Sequence, residues 1–292
     1  REAALPEVPQ HIWIDPYSPS TSRTVIIAGT HFVVTRNAAG IHQSELPNSA
    51  SMTDSTAGFA APGKSVLYVT SEEGGFVSRD GAVSWHAIAL PGTGARVRAI
   101  ATSLHHPETA YISYSHLKLD GDIWHGVAKT VDAGRTWKLM WKESVAPSAN
   151  VHDAWITPTL GTGWGENPLM LGVADQDPNQ CYATDFGRTL ATTDGGKNWY
   201  AKYSRRVPGA GWVSTGLDVT TDYGVQFDPF NSKHIYIDYT DIGLFQSNDG
   251  GASWQSSSSG VPKAWSNTTY WLALDPAVKG LIWGAFSGVH DL

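Results

Sequence analysis

Thr192-Thr193-Asp194-Gly195-Gly196-Lys197-Asn198-Trp199 is the stretch on which the fold turns, because it recurs. Ser78-Arg79-Asp80-Gly81-Ala82-Val83-Ser84-Trp85, Thr130-Val131-Asp132-Ala133-Gly134-Arg135-Thr136-Trp137 and Ser247-Asn248-Asp249-Gly250-Gly251-Ala252-Ser253-Trp254 align with it without gaps. The shared pattern is S/T-x-D-x-G-x-S/T/N-W, with Ala82 in place of glycine in one copy. Successive tryptophans stand 52, 62 and 55 residues apart. A worn fifth copy runs from Thr35 to His42, with Asn37 for the aspartate and His42 for the tryptophan. An aspartate that accepts bonds from turn amides, a glycine free to take positive φ and a large aromatic to pack together describe a tight turn between strands.

A second phrase recurs in step with the first. Ile12-Trp13-Ile14-Asp15-Pro16, Val225-Gln226-Phe227-Asp228-Pro229 and Leu272-Ala273-Leu274-Asp275-Pro276 each set an apolar strand before an Asp-Pro turn. Ala101 to Pro107 and Leu171 to Pro178 are looser copies. A second apolar strand follows each, at 25–28, 110–113, 181–183, 235–238 and 282–285. Proline suits the turn because it cannot donate to a central ladder. Together the phrases make one unit: strand A, D-P turn, strand B, loop, strand C, D-x-G turn, strand D. A unit of about 40–55 residues with four strands is a propeller blade.

These residues resemble the Asp-box repeats shared by sialidases, xyloglucanase-type glycoside hydrolases, sortilin-type receptors and a photosystem assembly factor. The layout is most similar to the xyloglucanase-type branch, and the resemblance covers nearly the whole chain. It implies an all-β fold, a β-propeller of four-stranded blades. First strands are expected near residues 11, 55, 98, 169, 224 and 270, the last unit holding only two strands. That gives about five and a half blades of a seven- or eight-bladed protein in one domain, 1–292, incomplete at its C-terminal end. The missing remainder of the propeller is then an expected partner, since an open propeller exposes strand edges.

Composition agrees. The chain of 292 residues is 41% hydrophobic and only 16% charged, with 30 Gly and 13 Trp, as short strands and tight turns require. Net charge is −7 and no basic cluster exceeds Arg205-Arg206, which argues against nucleic acid. No apolar run approaches the ~18 residues of a membrane span. The lone Cys181 excludes an internal disulfide and reads as a buried small hydrophobe. No motif for a cofactor or a metal is present. The chain begins at Arg1 without Met, consistent with a removed signal peptide and a secreted or periplasmic location.

The strand order sorts the loops into two rims. The D-x-G turns occupy one, so Asp80, Asp132, Asp194 and Asp249 read as structural. The opposite rim gathers the B–C loops and the segments leading into strand A. It carries Glu72-Glu73, the 116–124 loop, Thr184-Asp185, Tyr239-Thr240-Asp241, His290-Asp291, Asp54, His152 to Trp155, Trp164 to Asn167, Asp222-Tyr223 and Trp265 to Tyr270. Carboxylates interleaved with aromatics suit sugar rings, whose apolar faces stack and whose hydroxyls hydrogen-bond. Glycoside hydrolysis uses two carboxyl groups. The expected catalytic pair is Asp185 with Asp241, then Asp222 and Asp153; Trp124, Trp155, Trp164, Tyr223, Tyr239, His116 and His290 are the expected substrate-binding residues. Trp13, Trp271 and Trp283, in strand phrases, are expected in the core, and Trp124, Trp155, Trp164, Trp212 and Trp265 in loops outside any repeat.

The leading expectation is therefore a secreted glycoside hydrolase acting on a polysaccharide or oligosaccharide through two carboxylates. The alternative is a non-catalytic propeller: a glycan-binding module, a sortilin-like receptor or an assembly factor. The arginine-led phrase of true sialidases is absent. A polysaccharide lyase would need a Tyr/His pair beside a cation that neutralises a uronate, and His116, Tyr239 and His290 leave that open.

Overall fold

The computed structural model describes residues 5–72, 74–161, 168–209, 211–216 and 220–289. The chain forms two compact units, one of residues 1–152 and 162–200, the other of residues 153–161 and 201–292.

The first unit is a succession of antiparallel meanders. Its first sheet is β1 (His11–Ile14), β2 (Val25–Ala28), β3 (Phe32–Asn37) and β4 (Gly40–Glu45), hydrogen-bonded in chain order. The second is β5 (Met52–Ala61), β6 (Lys64–Ser71), β7 (Gly74–Ser78) and β8 (His86–Ala87); the third is β9 (Arg96–Thr102), β10 (Ala110–Leu119), β11 (Asp122–Thr130) and β12 (Lys138–Glu143). The fourth adds a short parallel strand, β13 (Val151–His152), to the outer edge of β14 (Met170–Val173), β15 (Cys181–Thr184), β16 (Thr189–Thr192) and β17 (Trp199–Ala201).

The second unit begins with a short helix, α1 (Ile156–Leu160), and a hairpin of β18 (Ser204–Arg206) and β19 (Trp212–Ser214). A four-stranded meander follows: β20 (Asp222–Asp228), β21 (Asn231–Tyr239), β22 (Leu244–Ser247) and β23 (Gln255–Ser256). A two-stranded sheet of β24 (Thr268–Leu274) and β25 (Ile282–Ser287) ends the described chain. The architecture is all-β, of propeller-blade sheets, and first strands begin within three residues of every expected position.

Within the first unit, β1 lies against β5, β5 against β9 and β9 against β14, so the first strands of successive blades are neighbours. The core fills the gaps between blades. Ile26 and Val33 of the first sheet meet Phe59, Leu67 and Val69 of the second, and Tyr68 and Val77 of the second meet Ile100 and Ile112 of the third. This two-sided burial explains why β6 and β10 read as near-continuous apolar runs rather than alternating ones.

All four D-x-G turns close identically. Asp132 Oδ1 accepts the Thr136 amide at 2.9 Å, Asp132 Oδ2 the Thr136 hydroxyl at 2.6 Å, and Gly134 N donates to Thr130 Oγ1 at 3.0 Å. Asp249 repeats this with Ser253 and Ser247, and Asp194 with Asn198 and Thr192. Both residues after each aspartate have positive φ, including Ala82 at 73° and Ala133 at 59°. Gly134 is also needed for space, since a Cβ there would come 3.2 Å from the Tyr68 ring of the preceding blade.

Four expectations need correction. The 116–124 segment is not a loop: β10 and β11 continue to a tight Asp120-Gly121 turn, making a long hairpin. Trp212 lies in β19 and bridges to Trp254. Trp155 is buried against Tyr203 and Phe245 in the core of the second unit, so it offers no stacking face. Trp271 and Trp283 are 58% and 55% exposed, because the two-stranded sheet carrying them leaves that face uncovered.

Candidate functional site

In a four-stranded meander, strand A starts and the B–C turn falls on one rim, while the A–B and C–D turns fall on the other. A depression of about 960 Å³ opens on the first of these rims in the first unit. Gln10 and His11 line it at the start of β1, Asp54 near the start of β5 and Arg96 and Arg98 at the start of β9. Glu72 reaches it from the turn between β6 and β7, and His116 from β10.

Local structure explains each position. Arg96 and Arg98 are two residues apart in a strand and so project to one side, and both are exposed. Among the described residues neither makes an ion pair. The β10–β11 register breaks between Tyr114 and Leu117, and His116 sits in that break with φ 58°, its Nδ1 3.0 Å from Ser115 Oγ. A bulge of this kind re-aims a side chain. His11 Nδ1 lies 2.8 Å from Ser55 Oγ.

Asp54 is half-buried, with Oδ1 accepting the Ser55 amide at 2.8 Å and Oδ2 the Ile100 amide at 2.9 Å. Burial nevertheless pushes its carboxyl above the ordinary carboxylate range; the two amides and nearby His11 offset only part of the desolvation. Glu72 is exposed. The depression thus holds a carboxyl raised by burial, a second and exposed carboxyl, two imidazoles and two guanidinium groups. Among the described residues its lining includes no Trp, Tyr or Phe. Among the described residues no cluster of three His, Cys, Asp or Glu side chains could hold a metal ion.

The expected residues scatter. The Asp185 side chain is almost fully buried: its two oxygens take Arg188 N and Nε, each at 2.7 Å, and Arg188 Nη1 reaches Glu143 at 2.9 Å. Asp241 belongs to the other unit, at the β21–β22 turn with φ 63°, where it accepts from Thr240 Oγ1 at 2.8 Å. Asp222 opens β20 opposite Tyr239, so Asp222, Tyr239 and Asp241 share one rim of that unit. Asp153 has φ 57° and its carbonyl accepts from Ser204 Oγ. Trp124 lies half-buried under the Lys142 ammonium, 4.0 Å from the ring centroid, and donates to Leu119 O. Tyr223 stacks on Tyr270 with centroids 5.0 Å apart, and Tyr239 meets Phe245 edge-on at 5.7 Å. Among the described residues, His116 alone of the expected catalytic and substrate-binding residues lines the depression. Trp164 and His290 lie outside the described residues.

Arg96, Arg98 and His11 carried no functional expectation. The Arg96-Val97-Arg98 alternation just ahead of an apolar strand is the signal that finds the arginines. Asp54 and Glu72 were on the expected rim but not singled out from its other acids.

No protein-family model matches the chain, and none of the curated proteins matches it. Among solved structures it is similar to a GH74 enzyme of Niastella koreensis, at 14% identity over 94% of this chain and 49% of that one, with a TM-score of 0.46. An ancestral GH74 enzyme follows at 15% identity, 92% and 33% coverage and a TM-score of 0.43. YCF48 from Cyanidioschyzon merolae shows 16% identity, 98% and 96% coverage and a TM-score of 0.43. The chain spans about half and about a third of the two GH74 chains. Likenesses this distant carry no functional argument, and the fold rests on the sheets themselves.

Proposed function

We propose that the chain belongs to the Asp-box propellers and acts on a carbohydrate outside the cytoplasm, as a glycoside hydrolase whose site is the depression of the first unit. The observation that supports this is the pairing of unlike carboxyls on one rim: Asp54, whose burial favours the protonated form, and the exposed Glu72. Glycoside cleavage calls for that division, one group protonating the departing oxygen and the other acting as base or nucleophile at the anomeric carbon. The recurrence of one hydrogen-bonded turn at Asp80, Asp132, Asp194 and Asp249 supports the family assignment. Among the described residues no helix is long and apolar enough to cross a membrane.

A second reading, a non-catalytic glycan-binding or receptor propeller, is favoured by the Asp54–Ile100 bond, which ties β5 to β9 and gives Asp54 a structural task. Reducing-end release from a panel of polysaccharides separates the two. Hydrolysis that drops by about 10²-fold or more in both Asp54→Asn and Glu72→Gln supports the enzyme. Saccharide binding without turnover in any of the three proteins supports the module.

A further inference from the structure

We propose that the depression recognises a saccharide bearing a carboxylate, a uronate, through the paired guanidinium groups of Arg96 and Arg98. This rests on the carbohydrate reading above and adds the substrate class.

The argument begins with the strand. Period-two alternation sends both arginines to the same side of β9, into the depression, with Val97 between them. Within a chain of net charge −7, two neighbouring guanidinium groups that make no ion pair among the described residues form a local positive site. A planar guanidinium fork matches a carboxylate through two parallel hydrogen bonds. Asp54 spends both carboxyl oxygens on backbone amides, those of Ser55 and Ile100, rather than on the arginines. Among the described residues the lining has no large aromatic face on which a neutral sugar ring would stack, while its charged groups offer a carboxylate a partner.

His116 and His11 flank the pair on the same depression. Their imidazoles supply hydrogen bonds to ring hydroxyls beside the carboxylate, which distinguishes a uronate within a sugar chain from a free carboxylic acid.

Titration calorimetry on the whole chain tests this with three probes: a galacturonate hexamer, the same hexamer with its carboxyls reduced to alcohols, and a sulfated oligosaccharide of equal length. The expected result is binding of the hexamer that weakens with salt and is at least about tenfold weaker for the reduced form, the loss of one charge-assisted contact. Arg96→Ala and Arg98→Ala each lose about tenfold or more, while both exposed variants keep the parent thermal midpoint. Equal affinity for the acidic and reduced hexamers, or unchanged affinity in both variants, overturns the uronate assignment and leaves the carbohydrate reading standing. Preference for the sulfated probe over the hexamer also overturns it. Failure of all three probes, together with neither hydrolysis nor saccharide binding by the parent protein in the polysaccharide screen, removes both readings.

Discussion

The hydroxyl of Tyr68 donates to the carbonyl of Pro107 at 2.6 Å, joining strand β6 of one blade to the A–B turn of the next. Tyr111 does the same one blade further on, to Pro178 at 2.8 Å. In each case the ring also meets the tryptophan of the following D-x-G turn edge-on, Trp137 at 6.3 Å and Trp199 at 6.5 Å. One tyrosine therefore reads both recurring phrases of its neighbour, the proline turn and the aspartate turn, and fixes the spacing between blades.

Tyr68→Phe should lower the stability of the first unit by about 1 to 3 kcal/mol, since it strands a carbonyl in a dry contact while keeping the ring. Urea midpoints check this, with the slope unchanged. Burial pushes the Tyr68 hydroxyl well above its ordinary value, so its contribution to stability is full below pH ~10, where the unfolded hydroxyl titrates, and declines as pH rises from there towards the folded value. The alkaline decline in thermal midpoint should be shallower in the Phe variant.

The D-x-G aspartates set the acid limit. Hydrogen bonds from the Thr136 hydroxyl and amide hold Asp132 down to about 2, and those from Ser253 hold Asp249 there too. A depressed carboxyl stabilises the fold above its unfolded value of about 4, and that contribution disappears as pH falls towards 2. Asp132→Asn should lower the thermal midpoint at pH 7 and flatten its dependence between pH 4 and 2. A midpoint that stays level across that window in the parent protein would show that these turns do not limit acid stability.

Asp185 is predicted to be a folding residue. Arg188 and its two partners, Asp185 and Glu143, are almost completely buried, with the guanidinium 5.0 Å from the Trp141 ring. Removing one member of a buried ion group leaves the others uncompensated, at about 3 to 5 kcal/mol. Arg188→Ala should unfold the first unit at much lower urea, and Asp185→Asn should follow in the same direction. An Asp185→Asn protein with parent stability would return Asp185 to the catalytic candidates.

Asp238 points the other way. It is fully buried on β21 beside Gln226 and the backbone of Leu272, and burial raises its carboxyl despite them. A raised carboxyl stabilises the fold where it is protonated, below its unfolded value of about 4, and that contribution is lost as pH rises through its folded value. Asp238→Asn should raise the thermal midpoint of the second unit at pH 7 and change it little at pH 4.

These contrasts show what the sequence makes legible. The D-x-G and D-P phrases are local, each turn being closed by residues within four positions of its aspartate, so strand order and blade starts could be read directly. The fate of a rim acid is decided elsewhere. Asp185 differs from Asp54 only through what the fold brings to it: Glu143 sits 45 positions from Arg188, and Ile100 sits 46 positions from Asp54. The Trp155 pocket likewise depends on Tyr203 and Phe245, far along the chain. The arginine pair was readable as an alternation but carried no meaning until β9 was placed beside β5.

The sharpest test of the site is the pH dependence of turnover. If Asp54 donates the proton, kcat/KM should fall as pH rises through its raised value, so the descending limb lies above pH ~4, where an ordinary carboxylate titrates. Asp54→Asn should lose about 10²- to 10⁴-fold on a natural polysaccharide. On a nitrophenyl glycoside the loss should be far smaller, because that leaving group departs without a proton. Glu72→Gln should lose activity on both substrates, since base or nucleophile is needed whatever departs. Equal losses for Asp54→Asn on the two substrates would remove it as the acid and leave it only the task of holding β5 to β9.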